Sequence, residues 1–224
     1  MPEQLSFDLP RKTALGRKDF FVSPANAQAV EMIEDWANWP NRKLALAAPI
    51  GAGKTHLAHV WSELAGATII QASDLSKADI PALSQASVAV EDCDEIFGND
   101  AGETALFHLH NLALAEGHSL LLTARSAPYH WKLTLPDLAS RATATTVATI
   151  DAPDDKLLAA VMSKQFLERQ LSPPPAVISY LVQRIERSFE AIEKLVAALD
   201  DAALNKGRNL SVKLAGEVLD KLNS

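Results

Sequence analysis

Short apolar runs alternate with longer amphipathic stretches through the first two thirds of the chain. Runs at residues 43–48, 67–71, 88–91, 119–123 and 145–150 are strand-sized, and the stretches at 54–64, 80–85 and 103–116 between them have helical composition. Residues 136–141 read as a short helical turn. This alternation is how a parallel sheet with crossover helices is written into a chain. From Ala152 onward the strand signal stops. Four helical stretches follow, punctuated by Asp151, Pro173 to Pro175, Ser188, Gly207 and Ser211, so the pattern predicts a small all-helical domain behind an α/β domain. At the other end, "QLSFDLP" places Leu5, Phe7 and Leu9 in alternation with Ser6 and Asp8. That is a strand period, but Pro10, Arg11 and Lys12 end it at once, too early for a core strand. No internal repeat or low-complexity tract interrupts the pattern.

Composition narrows the classes. With 224 residues and 48% hydrophobic content the chain can bury a sizeable core without staples. A formal net charge of −7 argues against a protein whose main work is gripping nucleic-acid backbone, so any DNA contact is expected to be indirect or weak. Cys93 is the only cysteine and has no internal disulfide partner, and the first residues lack the apolar stretch of a signal peptide. The cytoplasm is the default compartment. No apolar run approaches the roughly 20 residues that span a bilayer, and no membrane role is expected.

Chemistry enters after the first strand, where "APIGAGKTHLAHVW" turns on small residues into a helix. Such a turn suits a nucleoside triphosphate: glycines let backbone N–H groups close on phosphates, and the helix N-terminus adds partial positive charge. Gly51 and Gly53 supply the turn, Lys54 would neutralise the outer phosphates, and the Thr55 hydroxyl would ligate Mg²⁺, with Ile50, Ala52 and His56 completing the binding stretch. Ala48 stands where the phosphate-loop pattern has its first glycine. The third strand ends in "SVAVEDCDEIF", whose Glu91 is placed to hold the Mg²⁺ water shell and Asp92 to orient an attacking water. In "LLLTARSAP", Thr123 sits at a strand end within reach of a terminal phosphate or that water. Arg141 follows in "LPDLASRA". Among the six histidines, His108 and His110 are two apart on a helical stretch and point to different faces, so they are read as structural. Cys93 and the four tryptophans are read as packing residues.

Taken together these segments resemble the AAA+ family of bacterial replication initiators, and within it the short Hda-type relatives that inactivate DnaA. "FFVSPANAQAV" is similar to the family's box before the first strand, with Phe21 and Val22 on the nucleotide; "GAGKTHL" to its phosphate loop; "VAVEDCDEI" to its Mg²⁺ strand; "LLLTARSAP" to its sensor-one strand; and "LPDLASR" to the box carrying its arginine finger. The resemblance implies a P-loop AAA+ domain with a parallel five-stranded sheet at 20–151, a helical lid at 152–224, and an N-terminal clamp-binding peptide and linker at 1–19. In the Hda family that peptide docks on the DNA polymerase III sliding clamp, which would place Gln4, Leu5, Ser6, Phe7, Asp8 and Leu9 in its hydrophobic pocket. The link from Pro10 to Phe20 would span on the order of 20 Å if flexible. The initiators' C-terminal helix-turn-helix has no counterpart before Ser224.

The implied partners are the clamp and the initiator DnaA, with a homodimer left open. The implied ligand is ADP or ATP with Mg²⁺, and the implied place is the cytoplasm, on the nucleoid through the clamp. The implied role is to promote hydrolysis of DnaA-bound ATP and so prevent re-initiation, with Arg141, Asp92 and Thr123 as the catalytic set. One departure bears on the ligand. Where the family's lid helix starts with a phosphate-reaching arginine, "RIERSFEAIEKL" has Glu190, with Arg187 one turn earlier as a substitute source of charge. A carboxylate there opposes a γ-phosphate, which favours ADP and weak intrinsic hydrolysis. Two alternatives stay open at this point: a self-sufficient AAA+ ATPase that loads DNA or a helicase, and a scaffold that no longer binds nucleotide.

Overall fold

The computed structural model describes residues 22–206 and 210–222. Five strands, β1 (Lys43–Ala47), β2 (Thr68–Gln71), β3 (Val88–Glu91), β4 (Leu120–Ala124) and β5 (Thr146–Thr149), form one sheet in the order β2-β3-β4-β1-β5. Every pairing is parallel. The inner strands β1, β3 and β4 are buried along their whole length, while edge strand β2 is not, which is why only the inner strands read as continuous apolar runs.

The two-residue period of a strand sorts the core into two layers. Leu44, Leu46, Ala89 and Leu121 face α1 (Ala27–Glu34) and α2 (Lys54–Ala65), where Leu57, Val60 and Trp61 meet them. Val88, Val90, Leu120 and Leu122 face the other way, toward α4 (Asp100–Ala115) and α5 (Pro136–Thr143). A one-turn helix α3 (Ile80–Leu83), capped by the Asp79 side chain on the Ala82 N–H at 3.1 Å, lies between β2 and β3.

Helix α1 matches no element assigned from the apolar pattern. It buries only Ala29, Val30 and Ile33, too few positions to set a clear period. It is held through Trp39, which stacks on Trp61 at 5.2 Å and donates its indole N–H to the Met32 carbonyl at 2.6 Å. Helix α4 also starts earlier than its composition indicated. Asn99 caps it, accepting from the Gly102 N–H at 3.0 Å, so the helix begins at Asp100 rather than at Glu103.

Beyond the sheet come α6 (Asp155–Glu168), α7 (Pro175–Val182), α8 (Phe189–Lys206) and α9 (Val212–Leu222). They enclose a third core of their own, including Leu158, Phe166, Leu181, Ile192, Leu199 and Leu219. Three of its helix starts are capped by side chains: Asp154 accepts from Leu157 N–H at 2.7 Å, Ser188 from Ala191 N–H at 3.1 Å, and Ser211 from Leu214 N–H at 3.3 Å. Ser188 and Ser211 punctuate the sequence because each supplies an acceptor for an otherwise orphaned helix donor.

One buried carboxylate ties the α/β region together. Glu103 is fully buried and accepts from Gly98 N–H at 2.8 Å, Thr134 N–H and hydroxyl at 2.9 Å each, and Leu135 N–H at 2.8 Å. It thereby fixes the segment that leads into α5. Burial opposes ionisation, but the donors from Leu135, Gly98 and Thr134 outweigh it and hold the carboxyl below the ordinary glutamate value. A depressed folded-state pKa adds stability that is complete above the unfolded value and is lost as pH falls through the folded one. Glu103→Gln should therefore cost about 2 kcal/mol or more near neutrality. The deficit should shrink on acidification, as followed by urea unfolding across pH 2.5–7 (about the range in which carboxylates titrate); a pH-independent deficit would assign the loss to packing instead.

Candidate functional site

The loop after β1 turns at the C-terminal edge of the sheet. Gly51 (φ +69°) and Gly53 (φ +101°) are both left-handed, a conformation that glycine alone adopts freely, and Gly53 leads directly into α2 with no side-chain cap. The first turn of α2 carries no acidic residue, and Thr55 is exposed on it beside half-buried His56. The first amides of this helix and the turn before it have the character of an anion cradle. Lys54 folds back over the loop, donating to the Ala48 carbonyl at 3.1 Å and the Pro49 carbonyl at 3.3 Å. Burial lowers its pKa, against the opposing pull of Asp92, Asp94 and Glu91. Ala52 is buried in the loop and Ile50 is exposed at its tip.

An acidic strand end faces this lysine. Glu91 is the last residue of β3 and is only 2% exposed. One carboxylate oxygen accepts from Gln71 Nε2 at 3.3 Å; the other is buried with no hydrogen-bond partner among the described residues. A buried, unmatched carboxylate oxygen is costly unless a cation or its water satisfies it. Asp92 follows in a left-handed conformation (φ 52°), and its N–H donates to Oγ1 of Thr123, a fully buried residue of the adjacent strand β4. Thr123 thus fixes the strand end on which Asp92 sits. Asp94 is held by Arg125, through Nε at 2.9 Å and the backbone N–H at 3.0 Å. The residues present fit a Mg²⁺-bound nucleotide: Gly51, Gly53 and Lys54 for phosphates, Thr55 and Glu91 for the metal and its water.

The helical region closes over the same loop. Phe189 N–H donates to the Gly51 carbonyl at 2.8 Å, and a Cβ on Gly51 would stand 3.0 Å from Ser188 Cβ and 3.2 Å from Glu190 Cβ. Glu190 therefore lies at the phosphate loop, paired on its own helix with Lys194 at 2.5 Å. Arg187 does not take its place. Its guanidinium is engaged by Asp155 at 2.7 Å and by the Pro153 carbonyl at 3.3 Å. Beside Arg187 opens a cavity of about 650 Å³ with apolar walls from Val22, Pro24, Leu157 and Ala160. Ser23, Asp154 and Lys156 add polar edges. The volume and the mixture of an apolar body with a few polar groups suit a nucleoside.

Of the residues singled out from sequence, the fold brings Val22, Gly51, Gly53, Lys54, Thr55, Glu91, Asp92 and Thr123 to one end of the sheet. Phe21 and residues 4–9 lie outside the described residues. Pro24, Leu157 and Ala160 were not legible as site residues, because an apolar cavity wall carries the same residue types as a core. His110 is buried and His108 exposed, and no group of three metal-ligating side chains occurs among the described residues. Cys93 is fully buried, which pushes its thiol pKa up.

Arg141 lies elsewhere. It is exposed in the last turn of α5, and its carbonyl accepts from Lys43 Nζ at 2.8 Å. Lys43 opens β1, whereas the phosphate loop follows the end of that strand, about 13 Å further along at the usual strand rise. Arg141 thus sits toward the opposite end of the sheet from its own phosphate loop.

No family model matches the chain. An uncharacterised protein of Haemophilus influenzae is 28% identical over 180 residues, covering 76% of this chain and 78% of that protein. Domain III of the Thermotoga maritima replication initiation protein DnaA superposes with a TM-score of 0.80 at 17% identity, covering 95% of this chain and 98% of that one. AMPPCP-bound DnaA from Aquifex aeolicus gives 0.72 at 17% identity over 88% of this chain and 69% of that one. The Thermotoga maritima RuvB Holliday junction branch migration motor gives 0.68 at 16% identity, over 87% and 66%. The fold is that of DnaA-type AAA+ domains.

Proposed function

We propose that this chain is an Hda-type regulator of replication initiation, which presents Arg141 to the ATP site of the initiator DnaA while tethered to the sliding clamp. The observation that supports the reading is the position of Arg141: it is an exposed residue on a DnaA-type fold, remote from the chain's own loop after β1, so its guanidinium is free of a role at that loop. In the partner's site such a group forms no covalent bond. It donates hydrogen bonds to phosphoryl oxygens as charge grows on them, while water attacks and ADP leaves.

In its own site the chain would hold ADP or ATP through Gly51, Gly53 and Lys54, with Mg²⁺ at Thr55 and Glu91 and the base in the cavity beside Arg187. Residues 1–19 would be the tether, 20–151 the nucleotide-binding body and 152–224 the lid. Clamp binding would bring the regulator to DNA indirectly and keep it on the nucleoid, in accord with its acidic balance.

The test is a reconstitution of DnaA–ATP with clamp loaded on DNA. Adding this chain should accelerate conversion of initiator-bound ATP to ADP, and only when the clamp is present. No acceleration, or DNA-stimulated ATP turnover by this chain alone, would overturn the reading in favour of a self-sufficient ATPase.

The tether has its own prediction. Leu5, Phe7 and Leu9 carry the apolar contacts that an extended peptide places in preformed pockets, and a few such anchors dominate binding energy. Replacing all three by alanine should abolish clamp binding in a calorimetric titration and leave the unfolding midpoint unchanged. Undiminished clamp binding would assign the contact to another surface.

A further inference from the structure

Lys43 is buried at the N-terminal end of β1, yet no carboxylate pairs with it among the described residues. An unpaired buried ammonium is expensive, and a hydrocarbon of the same length would pack there more cheaply. Its ligands are specific. Nζ donates to the Arg141 carbonyl at 2.8 Å and lies 3.3 Å from Nε2 of buried His110. The other ring nitrogen of His110, Nδ1, is 3.3 Å from Oδ1 of Asn111, so a neutral ring with its proton on Nδ1 satisfies both contacts. Burial, reinforced by the charge of Lys43, pushes the His110 pKa down to about 4, which keeps that ring neutral near pH 7. A second donor, the Thr145 hydroxyl, reaches the same Arg141 carbonyl at 3.0 Å. Meanwhile the Arg141 guanidinium lies over the Phe107 ring, 5.2 Å from its centroid, a cation–π distance.

We propose that Lys43 and Phe107 are positioning residues for Arg141: Lys43 pins its backbone and Phe107 supports its guanidinium, so that the arginine meets a partner's phosphates already oriented. This rests on the reading of Arg141 given above and adds the means by which it is held. Two features make the device effective. The Lys43 ammonium satisfies a carbonyl in the last turn of α5, where helix carbonyls lack intrahelical donors and a cation is favourable. Burial and then the Arg141 charge lower the Lys43 pKa, so the two cations repel, and the guanidinium lies over Phe107. Orienting a long arginine before contact removes part of the rotamer entropy that binding would otherwise cost.

The experiment uses the full chain with clamp-loaded DNA and DnaA–ATP, comparing Lys43→Met, Phe107→Leu, Phe107→Tyr and Arg141→Ala. Lys43→Met and Phe107→Leu should each lower stimulation about tenfold or more, the scale at which small misplacements act on rates. ADP affinity and clamp binding should stay within about twofold, and Phe107→Tyr, which keeps the aromatic face, should restore stimulation. A second readout does not depend on activity. In the ¹⁵N-arginine-labelled chain, the Arg141 Nε–H resonance, assigned by its loss in Arg141→Lys, should carry a ring-current shift that disappears in Phe107→Leu and persists in Phe107→Tyr. If Arg141→Ala is inactive while both Lys43→Met and Phe107→Leu stimulate normally, the inference is overturned and the function stands. If Arg141→Ala also stimulates normally, the function reading falls and the inference with it. Should Lys43→Met fail to fold, the Phe107 pair and the resonance decide alone.

Discussion

Arg141→Ala should abolish acceleration of DnaA-bound ATP hydrolysis while the chain still binds the clamp and its own ADP. A guanidinium is always charged and offers a planar fork of donors matched to phosphate oxygens, so it can stabilise charge that develops only as the phosphoryl group transfers. Arginines supplied to a neighbouring nucleotide in this way are worth about 10³ to 10⁵ in rate in GTPases, and a loss of at least about a hundredfold is expected here. The position of Arg141 separates this effect from damage at home. Its backbone is tied to Lys43 at the start of β1, whereas Lys54 comes after the end of β1, Glu91 is the last residue of β3 and Asp92 follows it. Arg141→Lys should rescue poorly, because a point charge cannot reproduce the planar fork of donors that phosphate oxygens match. The measurement is the rate at which initiator-bound ATP becomes ADP with clamp-loaded DNA and each variant. Near-normal stimulation by the alanine form would remove Arg141 from the mechanism, and loss of ADP binding together with stimulation would give it a structural role within its own chain.

The second large effect is expected at the loop after β1, where the proposed nucleotide would bind. Lys54→Ala should weaken ADP and ATP alike by roughly 10- to 100-fold, the value of one or two charge-assisted hydrogen bonds to phosphate. Among the described residues Lys54 is held over the loop by two carbonyls, at 3.1 and 3.3 Å, contacts that an incoming phosphate can replace with stronger ones. Glu190 should then decide between the ligands. It lies beside Gly51, where a terminal phosphate would add negative charge, and Lys194 neutralises it only in part from an exposed position. The natural chain should accordingly bind ADP at least as tightly as ATP. Glu190→Arg should shift the preference toward ATP, since reversing one charge replaces repulsion of the terminal phosphate by attraction. Titration calorimetry with both nucleotides in the presence of Mg²⁺ tests the pair. ATP bound far more tightly than ADP by the natural chain would show that Glu190 does not face the phosphates, and absence of binding by either would make the loop vestigial.

Several details show where linear pattern and fold part company. The helix at Ala27–Glu34 has three buried positions and no flanking signal strong enough to announce it; its place follows from Trp39, which stacks on Trp61 and donates to the Met32 carbonyl. Spacing alone offers Arg187, one turn before Glu190, as a replacement for a missing lid arginine, but its guanidinium is engaged by the Pro153 carbonyl, 34 residues earlier, and by Asp155 at the start of α6. Sequence alone offers Thr123 to a phosphate or a water, whereas its hydroxyl oxygen accepts from the Asp92 amide, an arrangement that depends on β3 and β4 lying side by side.

By itself the sequence determined the class of the fold and the place of the glycine turn that joins the first strand to its helix. Both are written in local rules: continuous apolar runs for inner strands, helical spacing between them, and glycines at the two left-handed positions, Gly51 and Gly53, where a side chain would be strained. The tertiary structure decided everything that depends on distance across the chain. It set Glu190 against the phosphate loop, opened a cavity between the segment at Val22 to Pro24 and the start of α6, and left one oxygen of Glu91 buried without a partner. It also put Lys43 under Arg141, 98 residues away, at the far end of the sheet from Lys54. The physical reason is that burial and charge act through space: a lysine, a histidine and a phenylalanine carry no local signal of their joint purpose until a parallel sheet brings the start of one strand beneath the end of a helix.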